Sequence, residues 1–226
     1  MRLLLVAATE LELAPLVARL TPVSHSLERW ASFRSGSHDV DILATGVGMT
    51  ATAVWCARVL ARQSYDLAVN LGVCGSFRSA HPPGTVVNVV SDCIPELGAE
   101  DGDQFLTVHE LGLLRPDEPP FRDGRLVNPD ASPNRVIVAL PAVSGITVNT
   151  VHGSEHSIAR VVERFHPAVE TMEGAAFMYA CLVSGVRFAQ VRAVSNMVEK
   201  RNRAAWKMGE AVAALADVGL RLIEQE

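Results

Sequence analysis

A continuous aliphatic run at residues 2–8, Arg-Leu-Leu-Leu-Val-Ala-Ala, most constrains how this chain folds. The run lacks the polar/apolar alternation of a half-exposed strand, so we expect a strand buried on both faces. Such strands are typical of sheets that helices cover on both sides. Thr9 follows as a helix-cap residue and Glu12 stands three positions later, which is a capping-box pattern. The pattern predicts a first strand that leads directly into a helix.

The rest of the chain repeats this alternation of short apolar runs and helical segments. Further strands are predicted at residues 27–34, 40–44, 66–71, 86–90, 136–140, 143–148 and 187–194, with a short extended piece from Val169. Helices are predicted from the Thr-Gly-Val-Gly turn at 45–48 to about residue 62, from the cap Ser154 to about 164, over 174–182 and over 203–224. With 226 residues, 49% of them apolar, we expect a single α/β domain over residues 1–226.

Composition excludes several classes of protein. The net charge is −5 and no basic tract occurs, which argues against nucleic acid as the main partner. The apolar runs are too short to cross a membrane, and the first is too short for a signal peptide. No cysteine has zinc-ligand spacing or a disulfide pattern; the cysteines are Cys56, Cys74, Cys93 and Cys181. We expect a cytoplasmic protein with free thiols, and Cys74 as a core thiol rather than a nucleophile, because no histidine is near it.

An acid stands at a predicted strand-to-helix junction, where residues 169–176 read Val-Glu-Thr-Met-Glu-Gly-Ala-Ala. One interpretation of Glu173 is a helix cap, because the helix dipole favours a carboxylate at a helix N-terminus. The other is a ligand site, since open α/β sheets bind ligands at the carboxyl ends of their strands. A carboxylate there suits the 2′ and 3′ hydroxyls of a ribose, because each oxygen accepts one hydroxyl hydrogen.

This segment resembles the ribose-binding signature of the purine nucleoside phosphorylase and nucleosidase superfamily. The resemblance implies that Glu173 binds the ribose hydroxyls and that Met172 packs on the sugar. It also implies that Glu12, in Ala-Ala-Thr-Glu-Leu-Glu-Leu, is hydrogen-bonded to an attacking water, whereas Glu10 is its neighbour in the same loop. The implied fold has three layers, a mixed central β-sheet flanked by helices. The family resemblance further implies a homo-oligomer that uses no metal and no organic cofactor.

The loop Asn-Leu-Gly-Val-Cys-Gly-Ser follows a predicted strand, and its glycines let backbone amides approach a ligand. The resemblance places Gly72 and Val73 beside the sugar and the base. Phosphorylases of the superfamily carry an arginine near the start of this loop and a glycine-containing phosphate loop after the first strand. This chain has Asn70 and Leu71 where the phosphorylases carry the arginine, and it lacks the glycine-containing phosphate loop after the first strand. Water is therefore the expected nucleophile.

The residue after Ser195 bears on which purine base the substrate carries. Adenine-cleaving nucleosidases of the superfamily have Ser-Asp here, and their Asp donates a proton toward the purine N7. This chain has Asn196, and an amide is not an acid. An amide can still donate to O6 and N7 of a 6-oxopurine and stabilise charge on the leaving base. Asn196 therefore favours hypoxanthine over adenine; the other interpretation is a core amide in a chain that has lost activity. The resemblance implies that Val151 contacts the base.

The loop after Asn196 and the Thr-Val-Asn-Thr and Met-Glu-Gly-Ala-Ala segments are similar to the futalosine hydrolase family of menaquinone biosynthesis. This implies N-glycosidic hydrolysis of a small nucleoside, futalosine, to hypoxanthine and dehypoxanthine futalosine. Two alternatives stay open: a methylthioadenosine/S-adenosylhomocysteine nucleosidase, and a nucleoside-binding protein without catalysis. The basic cluster of Lys200, Arg201 and Arg203 either engages the substrate carboxylate or forms a solvated loop.

Two other features carry no predicted chemistry. His152 and His156 lie four residues apart on a predicted helix, the spacing of a metal pair. No third ligand accompanies them, so we expect a solvated helix face. Five prolines between residues 115 and 133 predict a long loop, either a lid or an oligomer contact.

Overall fold

The computed structural model describes residues 1–27, 29–129 and 134–225. Its strands are β1 (Arg2–Ala7), β2 (Thr21–Leu27), β3 (Trp30–Ser35), β4 (His38–Ala44), β5 (Leu67–Ser76), β6 (Val86–Asp92), β7 (Gly98–Asp101), β8 (Gln104–Thr107), β9 (Phe121–Arg122), β10 (Arg125–Val127), β11 (Ala142–Thr147), β12 (Val169–Thr171) and β13 (Phe188–Met197). Its helices are α1 (Glu10–Val17), α2 (Met49–Leu60), α3 (Arg135–Val138), α4 (Glu155–Phe165), α5 (Gly174–Ser184) and α6 (Met208–Glu224), with a 3₁₀ turn at Arg203–Ala205. No helix in these ranges is long and apolar enough to span a bilayer.

One mixed sheet forms the centre of the molecule. Its strands run in the order β2-β3-β4-β1-β5-β12-β11-β6-β10-β9, and β13 pairs with both β5 and β6. β1 is parallel to β4 and β5, and β13 is parallel to β5. The β12–β5 and β13–β6 pairs are antiparallel, which makes the sheet mixed. Because β1, β5 and β13 run in parallel, their carboxyl ends lie at the same edge of the sheet.

Helices cover both faces of this sheet. α1 packs on α6 at one face, and α2 packs on α5 at the other. Leu13 and Leu215 join Leu5 of β1 in one core cluster. Phe177 joins Leu4 of β1 in a second cluster on the opposite face. Successive side chains of β1 thus enter different cores, which confirms a strand buried on both faces and a three-layer α/β fold.

Residues 136–140 form no strand, so that prediction was wrong. They belong mostly to the short helix α3, which begins after Asn134. The Asn134 Oδ1 accepts hydrogen bonds from the Val136 N–H at 3.0 Å and the Ile137 N–H at 3.4 Å. A short apolar run does not by itself distinguish a strand from a buried helical turn, and the side-chain cap decides for the helix here.

Four other boundaries differ from those predicted. Most of the predicted strand at 27–34 is β3, which pairs with β2 in a hairpin, and Glu28 lies outside the described residues. The residues predicted as a loop at 70–76 belong to β5. β13 continues to Met197 with a register shift at Asn196. The last helix begins at Met208, because a 3₁₀ turn precedes it.

The proline-rich segment at 115–133 packs on the edge of the sheet. Its strand β10 is antiparallel to both β6 and β9. Leu126 is fully buried and Phe121 is nearly so. Residues 130–133 lie outside the described part of the chain. The segment therefore contributes side chains to the core, and a role as an oligomer contact stays a prediction.

Candidate active site

A cavity of about 420 Å³ opens where β1, β5, β12 and β13 end. Residues that are far apart in the sequence meet in its wall. The predicted site residues that line it are Glu12, Val73, Val151, Met172, Glu173 and Asn196. Gly72 lies behind this wall rather than in it. The predicted residues thus form one site at the carboxyl edge of the sheet, where an α/β fold binds its ligands.

Glu12 forms the predicted capping box and also borders the cavity. Its Oε2 accepts hydrogen bonds from the Thr9 N–H and the Thr9 hydroxyl, both at 2.9 Å, and the capping box is confirmed. Its Oε1 accepts a hydrogen bond from the Val73 N–H at 3.1 Å. The side chain is 8% exposed and borders the cavity. A cap at the start of α1 therefore fixes a carboxylate in the wall, oriented for a ligand or a water.

Glu173 is positioned by the backbone of another loop. Its Oε1 accepts a hydrogen bond from the Gly48 N–H at 3.0 Å, and the residue is 6% exposed. Glu173 occupies the N-cap position of α5, but its side chain makes no capping hydrogen bond. Thr171 Oγ1 accepts from the Gly174 N–H instead, and Thr147 Oγ1 accepts from the Ala175 N–H. These threonines leave the carboxylate available to the cavity.

A buried arginine behind the two glutamates was not predicted. Arg192 of β13 is completely buried; its Nε donates to Gln190 Oε1 at 3.2 Å, and its Nη2 donates to Asn70 Oδ1. Its Nη1 has no hydrogen-bond partner among the described residues and lies 3.9 Å from Glu173 Oε2. One feature of the sequence could have indicated it: Arg192 is a charged residue inside an apolar strand. Charged residues are rarely fully buried unless they are paired.

Gly72 makes room for this guanidinium. A Cβ at position 72 would collide with Arg192 Nη1 and would lie 3.1 Å from Glu12 Oε1. Nη1 and the Glu12 carboxylate therefore share the space above the Gly72 backbone. The glycine allows a cation to approach both carboxylates at the floor of the cavity.

The opposite end of the cavity is formed by the end of β13 and the loop after β11. The Ser195 hydroxyl donates to Asn196 Oδ1 at 2.8 Å, and Asn196 Nδ2 donates to the Met197 carbonyl at 2.9 Å. These bonds orient the amide, and one hydrogen of Nδ2 stays available to a ligand. Val151 and Met172 supply apolar surface beside it. The arrangement suits a flat ring with hydrogen-bond acceptors on one edge.

His152 is not on a solvated helix face, because α4 begins only at Glu155. The side chain of His152 is 16% exposed and its Nδ1 lies 2.6 Å from Glu170 Oε2. Glu170 Oε1 also accepts the His152 N–H at 3.1 Å, and both residues line the cavity. A pairing between residues 18 positions apart is set by the fold, so spacing along the chain did not indicate it.

The loop at residues 199–206 closes this end of the site. Arg201 lines the cavity, whereas Lys200 and Arg203 are not part of its lining. The guanidinium carbons of Arg201 and Arg203 lie 5.9 and 6.0 Å from the centre of the Trp206 ring. The predicted basic cluster is thus divided, with one arginine at the site and two cations outside it.

Cys74 borders the cavity but is 4% exposed. Burial raises the pKa of its thiol to about 12. The thiolate is therefore not populated near neutral pH, and a nucleophilic role for Cys74 is disfavoured.

A family model and several known proteins match most of this chain. The family described as the phosphorylase superfamily matches residues 2–224. A futalosine hydrolase from Streptomyces coelicolor is 35% identical over 190 residues, which cover 78% of this chain and 75% of that protein. A 5′-methylthioadenosine/S-adenosylhomocysteine nucleosidase from Colwellia psychrerythraea is 28% identical over 213 residues, which cover 88% and 84% of the two chains.

A solved structure shows the same architecture. The futalosine hydrolase of Helicobacter pylori superposes with a TM-score of 0.84 over 99% of this chain and 97% of that one, at 11% identity. At such low identity the likeness concerns the fold, and it confirms the predicted phosphorylase-like architecture. Together with the family match over residues 2–224, it shows that the chain belongs to the phosphorylase superfamily.

Proposed function

We propose that this protein hydrolyses the N-glycosidic bond of futalosine, releasing hypoxanthine and dehypoxanthine futalosine in menaquinone biosynthesis. One observation carries the proposal: the Glu12 and Glu173 carboxylates are held by backbone amides around one cavity, in a chain up to 35% identical to futalosine hydrolases. Superfamily membership supports a cytoplasmic homo-oligomer that acts without a cofactor.

Glu12 acts on a water at the floor of the cavity, with Arg192 buried behind the carboxylates. The Glu12 carboxylate accepts a proton from this water. The Arg192 guanidinium is fully buried and does not line the cavity, so its positive charge acts on the Glu12 and Glu173 carboxylates rather than on the water itself. The water oxygen bonds to C1′ of the ribose, and the C1′–N9 bond breaks. The bonding electron pair leaves with the base, which takes up a proton to give hypoxanthine, and Glu12 releases its proton to solvent. Glu12 thus supplies the base catalysis, and Arg192 is a positioning group for the two carboxylates.

Glu173 stabilises the sugar during this step. Its Oε1 uses one lone pair on the Gly48 N–H, so further lone pairs remain for the two ribose hydroxyls. Positive charge grows at C1′ as the base departs, and a carboxylate beside the ribose ring lowers the energy of that charge. Met172 packs on the sugar, and Asn196 donates to the departing base.

The polar contacts of Asn70 favour water over phosphate. In the phosphorylases of the superfamily an arginine near this position binds phosphate. Asn70 is completely buried, donates to the Val6 carbonyl at 2.9 Å and accepts from Arg192. It therefore braces Arg192, and because it is fully buried outside the cavity lining it does not reach an anion in the cavity.

A substrate panel tests the proposal. Purified protein is incubated with futalosine, inosine and methylthioadenosine, each with and without phosphate, and the released bases are separated by chromatography. We expect hypoxanthine from futalosine at the same rate in both buffers, and little base from the other nucleosides. Release only in phosphate would overturn the hydrolytic mechanism.

A second candidate is a methylthioadenosine/S-adenosylhomocysteine nucleosidase. The relative from Colwellia psychrerythraea favours it, since its match covers 88% of this chain. Asn196 opposes it, because an amide does not supply the acid that the adenine-cleaving branch uses. Adenine released from methylthioadenosine would favour this candidate, and tight nucleoside binding without release would favour a binding protein.

A further inference from the structure

A cation in the loop at residues 199–206 has no part in the steps above. Arg201 lines the cavity and is exposed. Its side chain makes no ion pair and no hydrogen bond with any residue that the structure describes. Its guanidinium carbon lies 5.9 Å from the centre of the Trp206 ring. The N–H donors of the guanidinium are therefore available to a ligand.

The rest of the charged lining is acidic. The cavity wall contains four glutamates, Glu12, Glu170, Glu173 and Glu199. Among the described residues of this wall, Arg201 is the only lysine or arginine. His152 also lines the cavity, but its imidazole is already paired with Glu170. A ligand with a negative charge is therefore repelled by most of the lining and attracted at one place, the Arg201 guanidinium.

Trp206 and the backbone hold Arg201 at the cavity. The Arg201 N–H donates to the Gly153 carbonyl at 3.4 Å, which links the loop to the segment before α4. A guanidinium over an indole ring gains from the cation–π interaction. A side chain supported in this way loses less rotamer freedom when it binds a ligand.

The wall that leads from the sugar end to Arg201 is apolar. Its side chains are Leu11, Met208, Val212 and Trp206. α1 and α6 pack on each other, which places Leu11, the neighbour of Glu12, in one wall with Val212. Leu11 is 78% exposed, and an exposed apolar surface beside a cavity is typical of a ligand-binding groove. An apolar wall that ends at a cation suits a ligand arm with an aromatic ring and a terminal carboxylate.

We propose that Arg201, supported by Trp206, binds the carboxylate at the far end of the substrate and so selects an anionic nucleoside over neutral ones. The inference rests on the proposed hydrolysis of futalosine, a nucleoside whose far end is a benzoate. The planar guanidinium matches a carboxylate with two parallel N–H···O bonds. Arg201 determines specificity through binding, and the reacting atoms at C1′ are served by other residues.

A second arginine offers another place for the carboxylate. A groove of about 410 Å³ adjoins the cavity and shares Leu11 and Val47 with it, and Arg29 lines this groove. Arg29 does not line the cavity itself, and Glu10 stands in the same groove. The contacts therefore favour Arg201, and a variant of Arg29 distinguishes the two places.

Three variants and one modified substrate test this inference. Arg201→Ala removes the guanidinium, and Arg29→Ala removes the competing one. Arg203→Ala is the matched control, because the Arg203 guanidinium carbon lies 6.0 Å from the same Trp206 ring but Arg203 does not line the cavity. The methyl ester of futalosine keeps the aromatic ring and lacks the charge. We would measure kcat and KM for the acid and the ester, and the Kd of both by calorimetry in a Glu12→Gln background.

We expect Arg201→Ala to raise KM for futalosine by about 10-fold, the size of a charge-assisted hydrogen bond that stays partly in water. The kcat should change little, because the contact is equally strong in the bound substrate and the transition state. The wild type should prefer the acid over the ester by about the same factor, and Arg201→Ala should treat the two alike. Arg203→Ala and Arg29→Ala should keep the preference of the wild type.

Equal losses on acid and ester would overturn the role of Arg201, because damage to the loop affects both substrates alike. A preference that survives in Arg201→Ala, or that disappears in Arg29→Ala, would overturn it as well. Failure of the proposed function gives a different result: the wild type then releases no base from either compound. The Kd values still decide the inference in that case. Tighter binding of the acid that depends on Arg201 supports it, and equal Kd values or no binding overturn it.

Discussion

The two ends of the cavity are anchored in different ways. At the sugar end, Glu12 and Glu173 are held by main-chain N–H groups from the loops after β1 and β4 and from β5 itself. At the base end, Asn196 and His152 are held largely by side chains, those of Ser195 and Glu170. A main-chain N–H group is present whatever side chain stands at its position, whereas a side-chain hydrogen bond is lost by a single substitution. The sugar end therefore indicates the class of reaction, and the base end indicates which base is cleaved.

The largest effects are expected at the sugar end. Glu12→Gln removes the proton acceptor, and Glu173→Gln removes the charge beside C1′. Each should lower kcat by roughly 10²–10⁴-fold on any nucleoside, because both act on the sugar and the water. Steady-state kinetics and circular dichroism would measure activity and folding. Glu10→Gln is the matched control, since Glu10 is exposed and does not line the cavity. Near-normal turnover of Glu12→Gln would contradict its role in activating water.

A smaller and base-dependent effect is expected at Asn196. Asn196→Asp places an anion next to O6, so kcat/KM for the 6-oxo substrate should fall by about 10- to 100-fold, corresponding to ~1.5–3 kcal/mol. The 6-amino analogue should lose less, because its amino group donates to the new carboxylate. Parallel assays on the two substrates would measure the ratio. Unchanged cleavage of futalosine would remove the argument that Asn196 selects hypoxanthine.

Gly72→Ala tests whether the floor of the site depends on close packing. The added methyl would collide with Arg192 Nη1 and approach Glu12 Oε1 at 3.1 Å. We expect a stability loss of about 1–3 kcal/mol and a fall in kcat on the order of 10-fold for either base. Gly209→Ala is the control, because no atom lies within 4 Å of its added Cβ. If urea denaturation and kinetics found both variants equal to the wild type, the packing argument would fail.

The smallest effect on activity is expected at Asp92, which is linked to Arg192 at the sugar end through hydrogen bonds of Gln190. Its Oδ2 accepts from Gln190 Nε2 at 3.0 Å, and Gln190 in turn accepts from Arg192. Burial raises the pKa of this carboxyl from an ordinary 3.8 to about 6. The folded state therefore holds a proton that the unfolded state releases, and Asp92 lowers stability as the pH rises from about 4 to about 6.

Asp92→Asn should remove this pH dependence. The free energy of unfolding of the wild type, relative to the variant, should fall by about 2 kcal/mol between pH 4 and pH 7, with little change in kcat. Urea denaturation at intervals of pH would measure the difference. A constant difference across that range would show that Asp92 titrates alike in the folded and unfolded chains.

The sugar end of the cavity is easier to predict from sequence than the base end, for a physical reason. The aliphatic run of β1 and the acid before α5 are local patterns, and the family resemblance assigned Glu12 and Glu173 from them. The Arg192–Glu173 and His152–Glu170 contacts join residues on different elements, so no local pattern encodes them. The mistaken strand at 136–140 has a related cause, because the choice between helix and strand rested on the side chain of Asn134.

The central claim is that water attacks C1′ of futalosine while hypoxanthine departs. Mass spectrometry of the sugar product, formed in phosphate-free buffer and in phosphate buffer, tests this claim most directly. The site geometry predicts free dehypoxanthine futalosine and one equivalent of hypoxanthine in both buffers, at equal rates. A sugar 1-phosphate in phosphate buffer, or no hypoxanthine in either buffer, would contradict it.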